Sequence, residues 1–190
     1  MHVIWDEVPR PPGSKARVIT ITRDPRDVPY SMFAHLQAMN LEDGPPATFD
    51  AYFERWMGLG LYFKLVASYW PHRDEPDFLW LRYEDMQRDL EGQARRLIAF
   101  LGWDVSDEDL ARVLPLVDFG EMRSKEREAF FLNESGRWKD DKQFFREGGM
   151  GKNRARLSAA QEQRILERLH AELPAACCEF LLTLGERDAG

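Results

Sequence analysis

The residues best placed to do chemistry lie in one run, Arg17-Val18-Ile19-Thr20-Ile21-Thr22-Arg23-Asp24-Pro25-Arg26-Asp27-Val28-Pro29-Tyr30-Ser31. Its first part reads as a buried strand, its middle as a basic turn, and its end as the start of a helix. A turn from strand to helix gathers backbone N–H groups at a helix N-terminus, where an anion is favoured. Arg23 falls just past the strand end, the place where α/β sheets hold ligands. Ser31 follows eight residues later, about two helical turns into the element. An arginine and a hydroxyl so placed can grip one phosphate.

The elements that must position these residues follow from pattern. Residues 18–22 are almost continuously β-branched, as in a parallel strand covered on both faces. A helix is expected from Asp24 or Asp27 to about Met39, with Pro29 tolerated within its first turn. Phe49, Phe53, Trp56 and Met57 have helical spacing, and the aromatics from 49 to 70 read as a core face or, alternatively, an acceptor pocket; Gly58 and Gly60 mark a break between two helices. Phe78-Leu79-Trp80-Leu81 is a second short strand. Residues 84–101 read as one helix with a stripe through Met86, Leu90, Ala94, Leu97, Ile98 and Leu101, stopped by Gly102. Ser106 with Asp109, and Ser158 with Gln161, resemble capping boxes. Residues 123–157 form a charged surface excursion, and Pro174 to Leu184 a last short helix. Strands alternating with helices indicate α/β with a parallel sheet.

Composition bounds the function. The chain has 190 residues, enough for one domain, and 44% of them are hydrophobic. A net charge of −7 excludes a general nucleic-acid binder, which needs a basic face, but leaves room for one small anionic ligand. Cys177 and Cys178 are adjacent and have no third cysteine to pair with, which fits two reduced thiols. No apolar run approaches a membrane span, and the first residues lack the pattern of a signal peptide. A cytoplasmic protein is expected. His35, His72 and His170 have no partners at metal-ligand spacing, so no metal is expected, and no Gly-x-Ser-x-Gly elbow is present.

The segment RVITITRDPRDVPYS resembles the 3′-phosphate-binding segment of the cytosolic-type sulfotransferases. Four further segments continue the resemblance in order. Met1-His2-Val3-Ile4-Trp5-Asp6-Glu7-Val8-Pro9 is similar to the family's histidine followed by Leu-Pro-Trp-Asp and a proline. FLWLRYEDM (78–86), with Phe100-Leu101-Gly102, is similar to its Arg-Tyr-Glu-Asp-Met turn and helix end. Asp118-Phe119-Gly120-Glu121-Met122-Arg123 resembles Ser-Phe-x-x-Met. Phe144 through Gly151 resembles the loop Phe-x-Arg-Lys-Gly-x-x-Gly.

The resemblance implies transfer of a sulfuryl group from 3′-phosphoadenosine 5′-phosphosulfate (PAPS) to a hydroxyl or amine of a small-molecule acceptor. It implies a three-layer α/β/α fold with a parallel sheet, related to the P-loop nucleotide kinases. One sulfotransferase-like domain over 1–190 would equal the C-terminal two-thirds of the family fold. His2 would be the base. Arg23, Ser31 and Arg146 would bind the 3′-phosphate, with Gly148 giving backbone access. Tyr83 and Phe119 would hold adenine, with Met122 behind Phe119. Glu84 and Asp85 read as charges at a helix N-terminus.

The chain also departs from the family pattern. Neither a Pro-Lys-Ser-Gly-Thr-Thr-Trp loop nor a Walker A sequence occurs in it, so an N-terminally truncated domain is expected. Glu147 replaces a basic residue, and Lys152-Asn153-Arg154-Ala155 stands in place of Asp-Trp-Lys-Asn. The family's homodimer motif, Lys-x-x-x-Thr-Val-x-x-x-Glu, becomes Arg154-x-x-x-Ser158-Ala159-x-x-x-Gln163. A non-catalytic nucleotide-binding remnant is the alternative. A nucleotide kinase is disfavoured by the missing Walker A lysine.

Overall fold

The computed structural model describes residues 3–11, 13–125, 138–139 and 148–182. Two strands, β1 (Val18–Thr22) and β2 (Phe78–Arg82), pair in parallel with Val18 opposite Phe78 and Thr22 opposite Arg82. Among the described residues these are the whole sheet. A parallel pair needs a long crossover. Here it runs through α1 (Val28–Ala38), α2 (Phe49–Leu59) and α3 (Leu61–Tyr69). After β2 come α4 (Tyr83–Arg88), α5 (Leu90–Leu101), α6 (Asp107–Val113), α7 (Phe119–Ser124), α8 (Ala159–Glu172) and α9 (Ala175–Leu182).

The core lies between one face of the sheet and the helices α2, α3, α8 and α9. Phe53, Phe63, Val66, Phe78, Trp80, Ile165, Leu169, Cys177 and Leu181 meet there. The aromatic run of 49–70 is thus first of all core: Phe53 and Phe63 are fully buried. Leu79 and Leu81 alternate with Phe78 and Trp80 and so point the other way, yet both are buried, and α5 packs against β2. β2 is therefore covered on both faces. β1 is not. Val18 joins the core, but Ile19 and Ile21 are 41% and 56% exposed, which corrects the expectation of a strand buried on both sides.

Two local breaks have simple causes. Gly60 sits at φ 60°, a left-handed conformation that ends α2 and lets α3 leave at a new angle. The single helix expected over 84–101 is two. Asp89 leaves helical geometry, and its side chain accepts from Gly92 N–H to start α5. Aspartate favours this capping role over a helix interior. The apolar stripe runs through the break, so periodicity hides it. The capping box of Ser158 and Gln161 forms as expected at the start of α8.

Cys177 and Cys178 are buried and unbridged. Burial, and then the neighbouring Cys178, push the Cys177 thiol up to about 12. Neither thiol should react with a disulfide reagent in the native chain, and both should react once it is unfolded. Rapid native labelling would contradict this packing.

Candidate functional site

Arg23 follows the last residue of β1 and begins the turn that carries the chain into α1. Several groups from distant elements fix this turn. Tyr62 of α3 donates its hydroxyl to the Arg23 carbonyl at 2.7 Å. The Asp24 N–H donates to Glu84 Oε1 at 2.8 Å. Arg26 wraps back on Asp24, with Nε and Nη2 at 2.9 and 2.6 Å from its carboxylate oxygens, and Nη1 lies 3.5 Å from Glu162 of α8. Asp24, Arg26, Asp27 and Glu84 are all buried. A charged turn can stay buried only when its groups are paired in this way.

The Arg23 side chain reaches out from this base. Its guanidinium lies 4.6 Å from the centroid of the Tyr83 ring. Tyr83 opens α4 at the end of β2, so the two residues sit together because their parallel strands end side by side. Nη2 donates to the Gly149 carbonyl at 3.1 Å and lies 3.3 Å from Asp27 Oδ2. Nε is buried and has no hydrogen-bond partner among the described residues. A buried donor left unsatisfied costs roughly 1–3 kcal/mol, more if charged, and an anionic oxygen beside it would remove that cost. A cleft of about 520 Å³ opens here, lined by Thr22, Arg23, Val28, Tyr62 and Tyr83 at one end and by Ile19, Ile21 and Tyr69 further along.

The turn formed by residues 148–153 reaches Arg23 through the Gly149 carbonyl. Gly148 has φ 62°, and a Cβ on it would stand 2.6 Å from the Phe119 ring. Only glycine permits that approach. The structure thus brings Phe119 against Gly148, and Arg23 against both Tyr83 and Gly149. Ser31 is half-buried in the first turn of α1, nearer the helix start than expected, because the helix begins at Val28. Met122 is half-buried in α7, one turn beyond Phe119. His2 and Arg146 lie outside the described residues. Arg154, Ser158 and Gln163 are engaged within the chain, by Glu162, by Gln161 N–H and by Glu167 respectively.

Three residues of this site escape sequence reading. Glu84 is not merely a charge at a helix start but a buried acceptor for the 23–27 turn. Asp27, at the N-cap of α1, makes no side-chain capping bond to its own helix. Tyr62 looks like one more core aromatic. The signal available for the first two was a cluster of charges beside strands that otherwise read as buried. Burial raises the Glu84 carboxyl, against the pull of the Asp24 N–H and the Arg23 charge. A raised carboxyl favours folding below its unfolded value and loses that contribution as pH rises through the folded one. Glu84→Gln keeps an acceptor for Asp24 N–H without the charge. Its melting temperature relative to the parent should therefore increase as pH goes from about 4 to about 7, and a constant difference would contradict this.

The family model described as "Sulfotransferase domain" matches residues 2–175. An amine sulfotransferase of Oryctolagus cuniculus is 24% identical over 92% of this chain and 60% of its own length. A luciferin sulfotransferase of Photinus pyralis is 32% identical over 58% of this chain and 30% of its own. The chain thus spans about 60% or less of the length of these relatives. Among solved structures, a mouse sulfotransferase complexed with PAP is similar at a TM-score of 0.74, with 23% identity over 90% of this chain and 63% of that one. A retinol dehydratase complexed with androsterone and the inactive cofactor PAP is similar at 0.70, with 27% identity over 84% of this chain and 48% of that one. No helix among the described residues is long and apolar enough to cross a membrane.

Proposed function

The chain belongs to the sulfotransferase family, and on that premise we propose that it binds a 3′-phosphoadenosine nucleotide at the ends of β1 and β2 and passes a sulfuryl group from PAPS to a small-molecule hydroxyl or amine. The observation that carries this reading is Arg23. It is a strand-end guanidinium held by Asp27 and the Gly149 carbonyl, laid on Tyr83, with its Nε buried and unpartnered among the described residues. That geometry suits a phosphate oxygen, which accepts charge-assisted hydrogen bonds from a planar arginine fork. The PAP found in similar structures supports the same ligand class.

In this proposal Arg23, the Ser31 hydroxyl and Arg146 hold the 3′-phosphate. Gly148 and its turn allow the backbone to approach. Tyr83 and Phe119 offer ring faces to adenine, and Met122 supports Phe119. His2 is the proposed base. The acceptor O–H gives its proton to His2, the oxygen bonds to sulfur, and the bond from sulfur to the phosphate oxygen breaks, its electron pair leaving with 3′-phosphoadenosine 5′-phosphate (PAP). A histidine near its ordinary pKa suits this task. Unbridged Cys177 and Cys178 support a reducing, cytoplasmic setting.

A second reading, nucleotide binding without transfer, is favoured by one observation: Lys152-Asn153-Arg154-Ala155 stands where the family pattern has Asp-Trp-Lys-Asn, without the tryptophan. The purified chain incubated with PAPS and a phenol, a primary alcohol or an amine separates the two. Release of PAP that depends on the acceptor supports transfer. Nucleotide binding with no transfer to any acceptor supports the second reading. Failure to bind PAPS or PAP overturns both.

A further inference from the structure

Asp27 is buried with its carboxylate committed in three directions. Oδ2 accepts from the Gly151 N–H at 2.8 Å and lies 3.3 Å from Arg23 Nη2. Oδ1 accepts from the Arg154 N–H at 2.8 Å. A helix N-cap aspartate ordinarily accepts from its own first turn, but this one makes no such bond. It spends both oxygens on a loop more than 120 residues away, as the separations of 124 and 127 positions show. Two consequences follow. The N–H groups at the start of α1 are left without their usual side-chain acceptor. The glycine turn is tied to the same carboxylate that orients Arg23.

Gly151 has φ 72°, so its N–H is aimed by a backbone conformation that other residues rarely adopt. Arg154 is held a second time, through its side chain to Glu162 at 2.6 Å, and Glu162 also meets Arg26. The turn of residues 148–153 and the following Arg154 are thus docked on the 23–27 turn by the Arg23–Gly149 hydrogen bond, one buried carboxylate and one half-exposed bridge. Of the two carboxylates, only that of Asp27 touches the guanidinium that would meet the ligand.

From this geometry we infer that Asp27 is a positioning residue of the anion site, setting the Arg23 fork and the glycine turn in register so that both meet the 3′-phosphate. The inference rests on the nucleotide reading proposed above. Asp27 does not touch the ligand. It acts through Arg23 and through the loop, and its negative charge is offset by Arg23 and two N–H donors.

Asp27→Asn is the test, because asparagine matches the shape but offers one acceptor oxygen for two N–H groups. Affinity for PAP should fall about tenfold, while affinity for adenosine 5′-monophosphate, which lacks the 3′-phosphate, should stay within about twofold. A merely structural role would lower both alike. Wild-type preference for PAP that survives Asp27→Asn, or parallel loss of both nucleotides, overturns the inference alone. A wild-type chain that binds neither nucleotide overturns the nucleotide reading and this inference with it. Where Asp27→Asn does not fold, amide exchange on the wild-type chain decides. Protection at Gly151 and Arg154 that deepens when PAP binds supports the inference, and protection that PAP leaves unchanged overturns it.

Discussion

Replacing Arg23 with alanine should weaken PAP binding by about tenfold to a hundredfold while leaving a cooperative melt in place, since a hydrogen bond to a charged group contributes about 1.5–3 kcal/mol and each factor of ten is about 1.4 kcal/mol. The fold should survive because what fixes the turn is the Arg23 backbone, not its side chain. Tyr62 holds the carbonyl, and Glu84 holds the next N–H. The side chain contributes the contact with Tyr83, the bond to the Gly149 carbonyl and the pairing with Asp27. Lysine should not restore binding. Its point charge cannot place two donors in one plane or lie flat on the Tyr83 ring. Calorimetric titration of Arg23→Ala and Arg23→Lys against the parent checks this, and equal affinity in all three would remove Arg23 from the site.

The second large effect is on stability. Arg26→Met should cost about 3–5 kcal/mol, because breaking a buried pair leaves an uncompensated charge. Arg26 is 3% exposed and Asp24 8%. Burial alone would lower the Arg26 pKa, but Asp24 and Glu162 more than offset it, so the group is held charged. Without it, among the described residues the Asp24 carboxylate retains only the N–H of residue 26, and it faces the nearby Glu84 carboxylate. Removing the second charge as well, in Arg26→Met with Asp24→Asn, should recover a large part of the loss, as expected when two groups act as a pair. Thermal melts of the two variants decide. Equal destabilisation in both would mean that Arg26 acts by packing alone.

The pattern of each segment made the strands and most helices legible. The run 18–22 and the run 78–81 read as strands from β-branched and aromatic residues, and the strands they belong to pair in parallel. Ser158 with Gln161 announced the start of α8. The failures share a cause. Local pattern carries no information on what a residue meets across the fold. Ile19 and Ile21 read as buried because strands of this composition commonly are, and their exposure depends on which elements lie over them. Asp89 is a cap hidden inside a continuous apolar stripe.

The site divides in the same way. Arg23 was legible because strand, basic turn and helix are adjacent in sequence. Tyr83 and Phe119 were drawn to it by resemblance. The structure lays Arg23 on Tyr83 and packs Gly148 against Phe119. Asp27 and Glu84 were not legible as site residues. Each looks like one more surface charge, and its role appears only when a loop or strand distant in sequence arrives with its N–H groups.

The central claim is that the ends of β1 and β2 form a folded site for a 3′-phosphorylated nucleotide. The most direct test follows the melting temperature of the 190-residue chain as PAP is added, with adenosine 5′-monophosphate alongside. A ligand that binds only the folded state must raise that temperature. The account predicts a saturable rise with PAP and a much smaller one with the monophosphate. A cooperative melt that PAP does not move, or that both nucleotides move equally, would contradict it.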